Sequence, residues 1–196
     1  PVADWERLAK GLETSMGLVR GGEENLPRWH EFEIDYVCLR SLAKTLRDSK
    51  WNVTVTVLND KEVIAVQTGY HEDSYGAAVD IGSTTVALYL CNLRTGEVVA
   101  SESEMNPQIV YGEDVMSRIQ YAIDQPDGLE KLHKAIISTL NKLLKQAVET
   151  ANMSLRGKKQ SPNHEGIASG EEQERPRNDG IKLDDIHEMV LVGNST

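Results

Sequence analysis

The chain has 196 residues, of which 39% are hydrophobic and 5% aromatic, and its formal net charge is −10 at pH 7. This charge argues against a nucleic-acid-binding protein, because a phosphate backbone requires a basic surface. The sequence holds no signal-peptide pattern and no run of the roughly 18 apolar residues that cross a membrane, so we expect a cytoplasmic protein.

The two cysteines, Cys38 and Cys91, are isolated in the sequence. They predict neither an iron–sulfur cluster nor a disulfide framework within this chain. The chain begins at Pro1 without a methionine and stops at Thr196 directly after an apolar stretch. We therefore expect it to be a piece of a larger protein.

Residues 1–72 are predicted to form a small α/β unit. Asp4 and Asp35 stand where the N-caps of two helices are expected. An alternating strand begins after the second helix, turns at Asn59-Asp60 and returns over 62–67. The apolar residues predicted to pack on the helix faces, with the three tryptophans expected in the core, are Trp5, Leu8, Leu12, Trp29, Leu39, Leu42, Ala43, Leu46 and Trp51.

The segment 68–75, TGYHEDSY, is predicted to link this unit to the next. Its His71, Glu72 and Asp73 could be taken for metal ligands. Adjacent side chains rarely converge on one ion, however, so a solvated loop is the favoured interpretation.

Residues 73–196 are predicted to form a second unit. A helix that starts near Asp114 follows its first strands. Asp114 and Arg118 are four residues apart, a spacing typical of a surface ion pair, and a catalytic role is the alternative interpretation. Gly96 suits a left-handed turn between the second and third strands. The three strands that open the unit are predicted over 76–81, 85–91 and 97–103.

A long amphipathic helix is predicted over 129–153, followed by an insertion at 157–180 whose polar composition favours disorder. A buried strand over 188–192 is predicted after the insertion. The apolar stripe of the long helix, which is typical of core packing, consists of Leu129, Leu132, Ile136, Leu140, Leu143, Ala147 and Ala151.

The stretch DIGSTT, which interrupts an apolar strand, is predicted to be a phosphate-binding hairpin. Gly82 lets the backbone approach an anion, and the turn amides and the hydroxyls of Ser83 and Thr84 can donate to phosphate oxygens. Asp80 ends a strand predicted to be buried, where a hydrated Mg²⁺ would supply the missing counter-charge. The residues predicted to bind the cofactor here are Asp80, Gly82, Ser83, Thr84 and Thr85.

An ordinary hairpin turn, in which Asp and Ser or Thr bond the local backbone, is the alternative interpretation of DIGSTT. From average residue usage, an Asp-x-Gly-Ser/Thr-Thr match arises by chance in about one chain of this length in a few hundred. Its position between two apolar strands further favours phosphate binding. The stretch is not a P-loop, because the turn leads into a strand rather than a helix.

Asp80, Gly82, Ser83 and Thr84 resemble the first phosphate motif of the ATPase superfamily of actin, sugar kinases and Hsp70 (ASKHA). The order of elements is similar to that of a ribonuclease-H-like lobe with a mixed sheet, in an α/β protein. Within that superfamily the chain resembles the ATP-dependent reductive activators of corrinoid proteins. The segments that carry this resemblance are YGAAVDIGSTTVALYL, NPQIVYGEDVMSRI and MVLVGNST, with LRSLAKTLRDSKWNVTVTV resembling the end of the family's middle domain.

The resemblance implies that Asp80 holds Mg²⁺ through water and that Gly82, Ser83 and Thr84 contact the β- and γ-phosphates of ATP. It also implies that the strand ending at Gly193 points its carboxyl end into the same cleft, so Gly193, Asn194, Ser195 and Thr196 are placed near the nucleotide. No chemistry is assigned to the family-matching residues Asn106, Gln108, Asp114 and Arg118.

For the whole protein the resemblance implies that Mg-ATP drives electron transfer from a [2Fe-2S] domain, expected before Pro1, to Co(II) of a corrinoid protein in a methyltransferase system. A second ATPase lobe is expected after Thr196. The chain alone is therefore predicted to bind nucleotide poorly, and a homodimer is left open. Three alternatives remain: a metabolite kinase, a chaperone-like nucleotide-gated binding module, and an activator of another metallo- or radical enzyme.

Overall fold

The computed structural model describes residues 3–15, 31–158 and 180–193. The chain divides into two compact units, Pro1–Glu72 and Asp73–Thr196. Predictions for Trp29, for Asn194, Ser195 and Thr196, and for most of the segment 157–180 fall outside the described residues.

The first unit contains two helices and a three-stranded sheet. The strand order is β1-β3-β2, in which β1 is parallel and β2 antiparallel to β3. Asn59 and Asp60, both at positive φ, form the predicted turn between β2 and β3. In chain order its elements are α1 (Asp4–Ser15), β1 (Glu33–Ile34), α2 (Tyr36–Asp48), β2 (Val53–Leu58) and β3 (Glu62–Thr68).

The helix starts of the first unit were predicted at Asp4 and Asp35, and the two aspartates act differently. The carboxylate of Asp35 caps α2 by accepting from the amides of Val37 and Cys38. Asp4 begins α1, but its carboxylate forms an ion pair with Arg47 at 2.7 Å. The capping role predicted for Asp4 is replaced by this contact between α1 and α2.

The core of the first unit differs from the prediction. Its main cluster of buried residues is Leu8, Leu42 and Leu46, with Trp5 and Leu12 packed against them. Ala9, Phe32 and Val63 are buried as well. A small sheet covers only a narrow stripe of α2, which leaves two predicted core residues, Leu39 and Ala43, exposed.

Trp51 was also predicted in this core and is 44% exposed. It lies just after α2 with a φ of 68°, a left-handed conformation that turns the chain toward β2. The guanidinium of Arg7 lies over its ring, 5.6 Å from the centroid, so the ring is covered by a cation rather than by the apolar core.

The second unit is built on a four-stranded mixed sheet with the order β6-β5-β4-β7. Strands β4, β5 and β6 are antiparallel neighbours, and β7 is parallel to β4. This sheet and the helices confirm the predicted α/β class. The elements are β4 (Tyr75–Ile81), β5 (Thr85–Asn92), β6 (Val98–Met105), a 3₁₀ helix (Pro107–Tyr111), α3 (Val115–Asp124), α4 (Gly128–Lys158), a second 3₁₀ helix (Leu183–Asp185) and β7 (Ile186–Gly193).

Helix α4 covers one face of the sheet, as its apolar stripe predicts. Alternate residues of the central strands meet this stripe and form the main core, because successive side chains of a strand point to opposite faces. Leu129 is an exception to the stripe: it lies in the first turn of α4 and is 72% exposed. The buried residues at the contact include Val79, Val86, Leu88, Leu90, Leu140, Leu143, Ala147 and Ala151.

The last strand is more exposed than predicted. Met189, Val190, Leu191 and Val192 are 41–56% exposed, whereas the apolar run predicted a buried strand. The reason is position: β7 is an edge strand that pairs only with β4 among the described residues. None of the helices in the described ranges is long and apolar enough to cross a membrane.

Candidate functional site

The predicted phosphate hairpin is the turn between β4 and β5. The amide of Gly82 donates to the carbonyl of Thr85 at 2.9 Å and closes the turn. A Cβ at Gly82 would lie 2.8 Å from that carbonyl, so a side chain here would force the turn to open. Ser83, Thr84 and Thr85 are all exposed, and their hydroxyls are available to a ligand.

Asp80 lies two residues before this turn, in β4, and its side chain is exposed. The prediction that it ends a buried strand is wrong in this respect. Buried residues of β4 alternate with outward ones, and Asp80 lies on the face opposite to Val79, which packs in the core. An exposed carboxylate does not by itself require a cation; its proximity to the hairpin is what suits it to hold the water of a bound ion.

The end of β7 reaches the same edge of the sheet as the hairpin. In the parallel register between β4 and β7, Asp80 lies opposite Val192 and Ile81 lies opposite Gly193. The structure therefore brings Gly193 beside the residues that lead into the hairpin. The positions of Asn194, Ser195 and Thr196 lie beyond the described residues.

Asn106 is 1% exposed and forms hydrogen bonds with two carbonyls of the hairpin. Its side-chain amide donates to the carbonyl of Gly82 at 2.8 Å. Its backbone amide donates to the carbonyl of Thr84 at 2.7 Å. Its side-chain oxygen accepts from the amide of Gln108 at 2.9 Å, which caps the first 3₁₀ helix. One buried residue thus joins β6 and this helix to the hairpin.

Arg118 also contacts the hairpin, in place of the surface ion pair with Asp114 that its spacing made one interpretation. Its guanidinium is buried, and Nη2 donates to the carbonyl of Ser83 at 2.5 Å. Nε donates to the carbonyl of Gly112 at 2.9 Å. A longer contact of 3.5 Å joins Nη1 to the side-chain oxygen of Gln108. Arg118 therefore ties α3 to the hairpin through neutral acceptors.

Asp114 caps α3 in place of pairing with Arg118. Its carboxylate accepts from the amide of Ser117 at 2.7 Å, and the Ser117 hydroxyl closes a capping box. The hydrogen bond from the Ser117 backbone is the main reason that the pKa of Asp114 lies below its ordinary value, with the charge of Arg118 a minor contribution. This cap sets the start of α3 and thereby the position of Arg118.

Gly112 allows the close approach of the loop to α3. A Cβ at this position would lie 2.5 Å from the Ser117 hydroxyl and 2.7 Å from the Arg118 amide. The string NPQIVYGEDVMSRI therefore contains both side chains that bond the hairpin, Asn106 and Arg118, and the glycine that lets the loop approach α3. Sequence reasoning singled out this string but assigned it no chemistry, because nothing in a linear pattern shows which carbonyl a buried Asn or Arg will meet.

A cavity of about 270 Å³ lies behind the hairpin. Its wall includes Gly82 and Ser83 of the hairpin, the polar side chains of Asn106 and Arg118, and apolar residues of α3 and α4 such as Ile119 and Leu132.

Within the described ranges there is no group of three His, Cys, Asp or Glu side chains that could hold a metal ion. Cys38 belongs to the first unit and Cys91 to the second, and both are free thiols. Burial is the main reason that the pKa of Cys38 is raised, and its thiol donates to the carbonyl of Ile64 at 2.9 Å. A [2Fe-2S] cluster needs four ligands, commonly thiolates, and the residues that the structure describes bring no such set together.

Two family descriptions match the chain. The RACo linker region matches residues 1–73, and the RACo middle region matches residues 75–157. The junction between the two matched regions falls beside the boundary of the two compact units. The chain is an α/β protein, and it belongs to the RACo family of reductive activators of corrinoid proteins.

A curated relative and a solved structure agree with this family. The chain is 39% identical over 82 residues to the corrinoid activation enzyme RamQ of Eubacterium limosum, an alignment that covers 42% of this chain and 14% of that protein. It is 27% identical, with a TM-score of 0.63, to a reductive activator for a corrinoid, iron-sulfur protein. That match covers 99% of this chain and 25% of the other. The chain thus spans only a minor part of either relative.

Proposed function

We propose that this chain is part of an ATP-dependent reductive activator that couples Mg-ATP binding and hydrolysis to low-potential electron transfer onto Co(II) of a corrinoid protein. Family membership supports the corrinoid partner, which we propose to be that of a methyltransferase system. The hairpin between β4 and β5 supports the nucleotide. Its exposed hydroxyls and its side-chain-free Gly82 lie together at one edge of the sheet, beside the end of β7.

In this proposal Gly82, Ser83 and Thr84 bind the β- and γ-phosphates, and Asp80 holds a water of the bound Mg²⁺. The magnesium ion neutralises phosphate charge when it is bound, and it needs few protein carboxylates because it keeps several waters. Thr85 lies at the first position of β5 and adds an exposed hydroxyl next to the turn. Gly193, with Asn194 and Ser195 after it, is proposed to approach the same phosphates.

We further propose that residues 73–196 form part of the first lobe of an ASKHA ATPase, and residues 1–72 a separate α/β domain before it. The sheet order β6-β5-β4-β7, with one parallel strand added to an antiparallel hairpin and its neighbour, supports this assignment. Because ATP in this superfamily lies between two lobes, differential binding of ATP to the closed state would supply the driving force. The electron donor, a [2Fe-2S] domain, would lie outside this chain.

The test uses the full-length protein and its corrinoid partner. Reduction of Co(II) to Co(I) is followed by absorbance under a low-potential reductant, with and without Mg-ATP, and Mg-ATP affinity is measured by calorimetry. Asp80→Asn is expected to lose the ATP dependence of the reduction while its thermal unfolding is unchanged. The matched control is Asp60→Asn, which removes the same charge at the turn between β2 and β3, where Asn tolerates the positive φ.

ATP-stimulated reduction that persists unchanged in Asp80→Asn would contradict the role of Asp80. Absence of Mg-ATP binding in the wild-type protein would overturn the proposal as a whole. Transfer of the γ-phosphate to a small-molecule hydroxyl, without Co(II) reduction, would instead favour a metabolite kinase.

A further inference from the structure

The hairpin carbonyls are held on one side by a buried network. The carbonyl of Gly82 accepts from the Asn106 side chain, that of Ser83 accepts from Arg118, and that of Thr84 accepts from the Asn106 backbone amide. Three consecutive carbonyls of an exposed turn are thus bound by two buried residues, which are 1% and 7% exposed. Such a turn cannot rotate its peptide planes without breaking these bonds.

The orientation of these carbonyls fixes the orientation of the amides. A trans peptide is planar, and its C=O and N–H point in opposite directions. Because the carbonyls of Gly82 and Ser83 point toward Asn106 and Arg118, the amides of Ser83 and Thr84 point away from the network. In the described part of the chain neither amide donates to another group. Two neighbouring amides are therefore presented outward, beside the exposed hydroxyls of the same residues.

Arg118 adds a charge to this arrangement. Its three acceptors, on Ser83, Gly112 and Gln108, are neutral oxygens. Among the described residues no carboxylate forms an ion pair with it, and the Asp114 carboxylate is engaged in the cap of α3. A buried cation that bonds only neutral oxygens is costly, and an anion seated on the hairpin would offset that cost.

We infer that Arg118 and Asn106 are positioning residues for a polyphosphate: they turn the Ser83 and Thr84 amides toward the ligand, and Arg118 supplies the charge behind them. This inference rests on the proposed nucleotide function and names the residues on which its phosphate recognition depends. The effect grows with the negative charge of the phosphate chain. It is absent for a ligand without phosphate.

The test is calorimetric titration of the full-length protein with Mg-ATP, Mg-ADP and adenosine. Arg118→Met is expected to weaken Mg-ATP binding at least tenfold, to weaken Mg-ADP binding less, and to leave adenosine binding within twofold of wild type. Arg118→Lys keeps the charge but not the fork of donors, and it is expected to fall between Met and wild type. The control is Arg94→Met in the same unit, because Arg94 is exposed and pairs with Asp73 at the end of β4 and β5 opposite to the hairpin. This variant is expected to leave all three affinities unchanged.

A second variant covers the case in which Arg118→Met fails to fold. Asn106→Ser removes the donor to the Gly82 carbonyl but retains the backbone amide that binds Thr84. We expect it to weaken Mg-ATP binding at least threefold and to leave adenosine binding unchanged. The Gly82 amide closes the turn onto the Thr85 carbonyl, and its hydrogen exchange in the same variant is expected to be faster than in wild type without nucleotide.

The outcomes separate this inference from the proposed function. If wild type does not bind Mg-ATP, the proposed function fails and the inference fails with it. If wild type binds Mg-ATP and both the Arg118 and Asn106 variants bind it equally well, only the inference is overturned. An equal loss of affinity for Mg-ATP and for adenosine would show that Arg118 and Asn106 have a purely structural role, and it would also overturn the inference.

Discussion

The side-chain amide of Asn106 donates to the carbonyl of Gly82 across 2.8 Å, and the two residues are 24 positions apart in the chain. This bond joins the end of β6 to the turn between β4 and β5. Buried polar groups stabilise a fold only when they are bonded, so each partner depends on the other. The geometry of the hairpin is thus set in part by a buried residue at the end of the neighbouring strand.

Asn106→Ala is expected to lower the free energy of unfolding of the second unit by about 1–3 kcal/mol, because the Gly82 carbonyl and the Gln108 amide lose their partner. The measurement is denaturant dependence of hydrogen exchange in peptides of β4 and β5. Asn141→Ala is the control, since Asn141 is exposed on α4. An equal effect of both substitutions would contradict the role given to Asn106.

Gly82→Ala is expected to destabilise the turn by about 1–3 kcal/mol, because the added Cβ would meet the Thr85 carbonyl at 2.8 Å and force the backbone apart. Gly193→Ala provides the comparison: its Cβ would lie 3.6 Å from the Ile81 carbonyl, an ordinary contact. The same exchange measurement checks both variants. Equal stability of the Gly82 variant and wild type would show that the turn has room for a side chain.

Much of the second unit follows from sequence pattern. Apolar runs and turn residues predict β4, β5 and β6 within two residues of their ends, and Gly96 takes the expected positive φ of 75°. These features are local, because a strand period and a turn residue act over a few positions. The hairpin itself is local in the same way, which is why Asp80 to Thr85 could be singled out.

The burial and contacts that the sequence did not predict depend on which part of the fold packs against a residue. Leu129 and Leu143 belong to one apolar stripe, yet the first is 72% exposed and the second 1%. Arg118 has the i, i+4 spacing of a surface ion pair with Asp114, but it turns inward to the Ser83 carbonyl. Periodicity defines a face of a helix; it does not tell how far the opposing sheet extends.

Leu143→Ala is expected to lower the free energy of unfolding by about 2–5 kcal/mol, because it leaves a cavity against the sheet. Leu129→Ala removes the same atoms from an exposed position, and it is expected to change the free energy of unfolding by less than about 0.5 kcal/mol. Chemical denaturation of the two variants checks this difference. Similar losses in both would show that the whole stripe is buried.

The cap of α3 predicts a dependence of stability on pH. The pKa of Asp114 is lowered from 3.8 in the folded state, mainly by the Ser117 amide. The ionised carboxylate therefore stabilises the fold above the unfolded pKa of 3.8, and this contribution is lost as the pH falls through the lower folded value.

Asp114→Asn keeps a capping side chain without the charge. Its midpoint of thermal unfolding is expected to lie below that of wild type at pH 6 and to converge with it toward pH 2. The two midpoints are measured across this range. A difference that stays constant with pH would show that the charge of Asp114 has no part in the cap.

Gly180 and Asn152 set the conformation of the segment that leads into the second 3₁₀ helix and β7. The Asn152 side chain accepts from the Ile181 amide at 2.7 Å and donates to the Ile181 carbonyl at 2.9 Å. Gly180 has a φ of 89°, and a Cβ there would lie 2.6 Å from the Asn152 side-chain oxygen. Two costs therefore combine at Gly180: a left-handed backbone and a collision with the residue that fixes Ile181.

Gly96 separates these two costs. It has a φ of 75°, but no atom of the described residues lies within 4 Å of its Cβ position, so Gly96→Ala is expected to cost only the backbone strain of about 1–2 kcal/mol. Gly180→Ala is expected to cost more, and to accelerate hydrogen exchange in β7 peptides selectively. In an Asn152→Ala background, the additional destabilisation by Gly180→Ala is expected to be smaller, because the side-chain oxygen that the new Cβ would meet is gone. An excess that persists in that background would mean that the collision with Asn152 is not its cause.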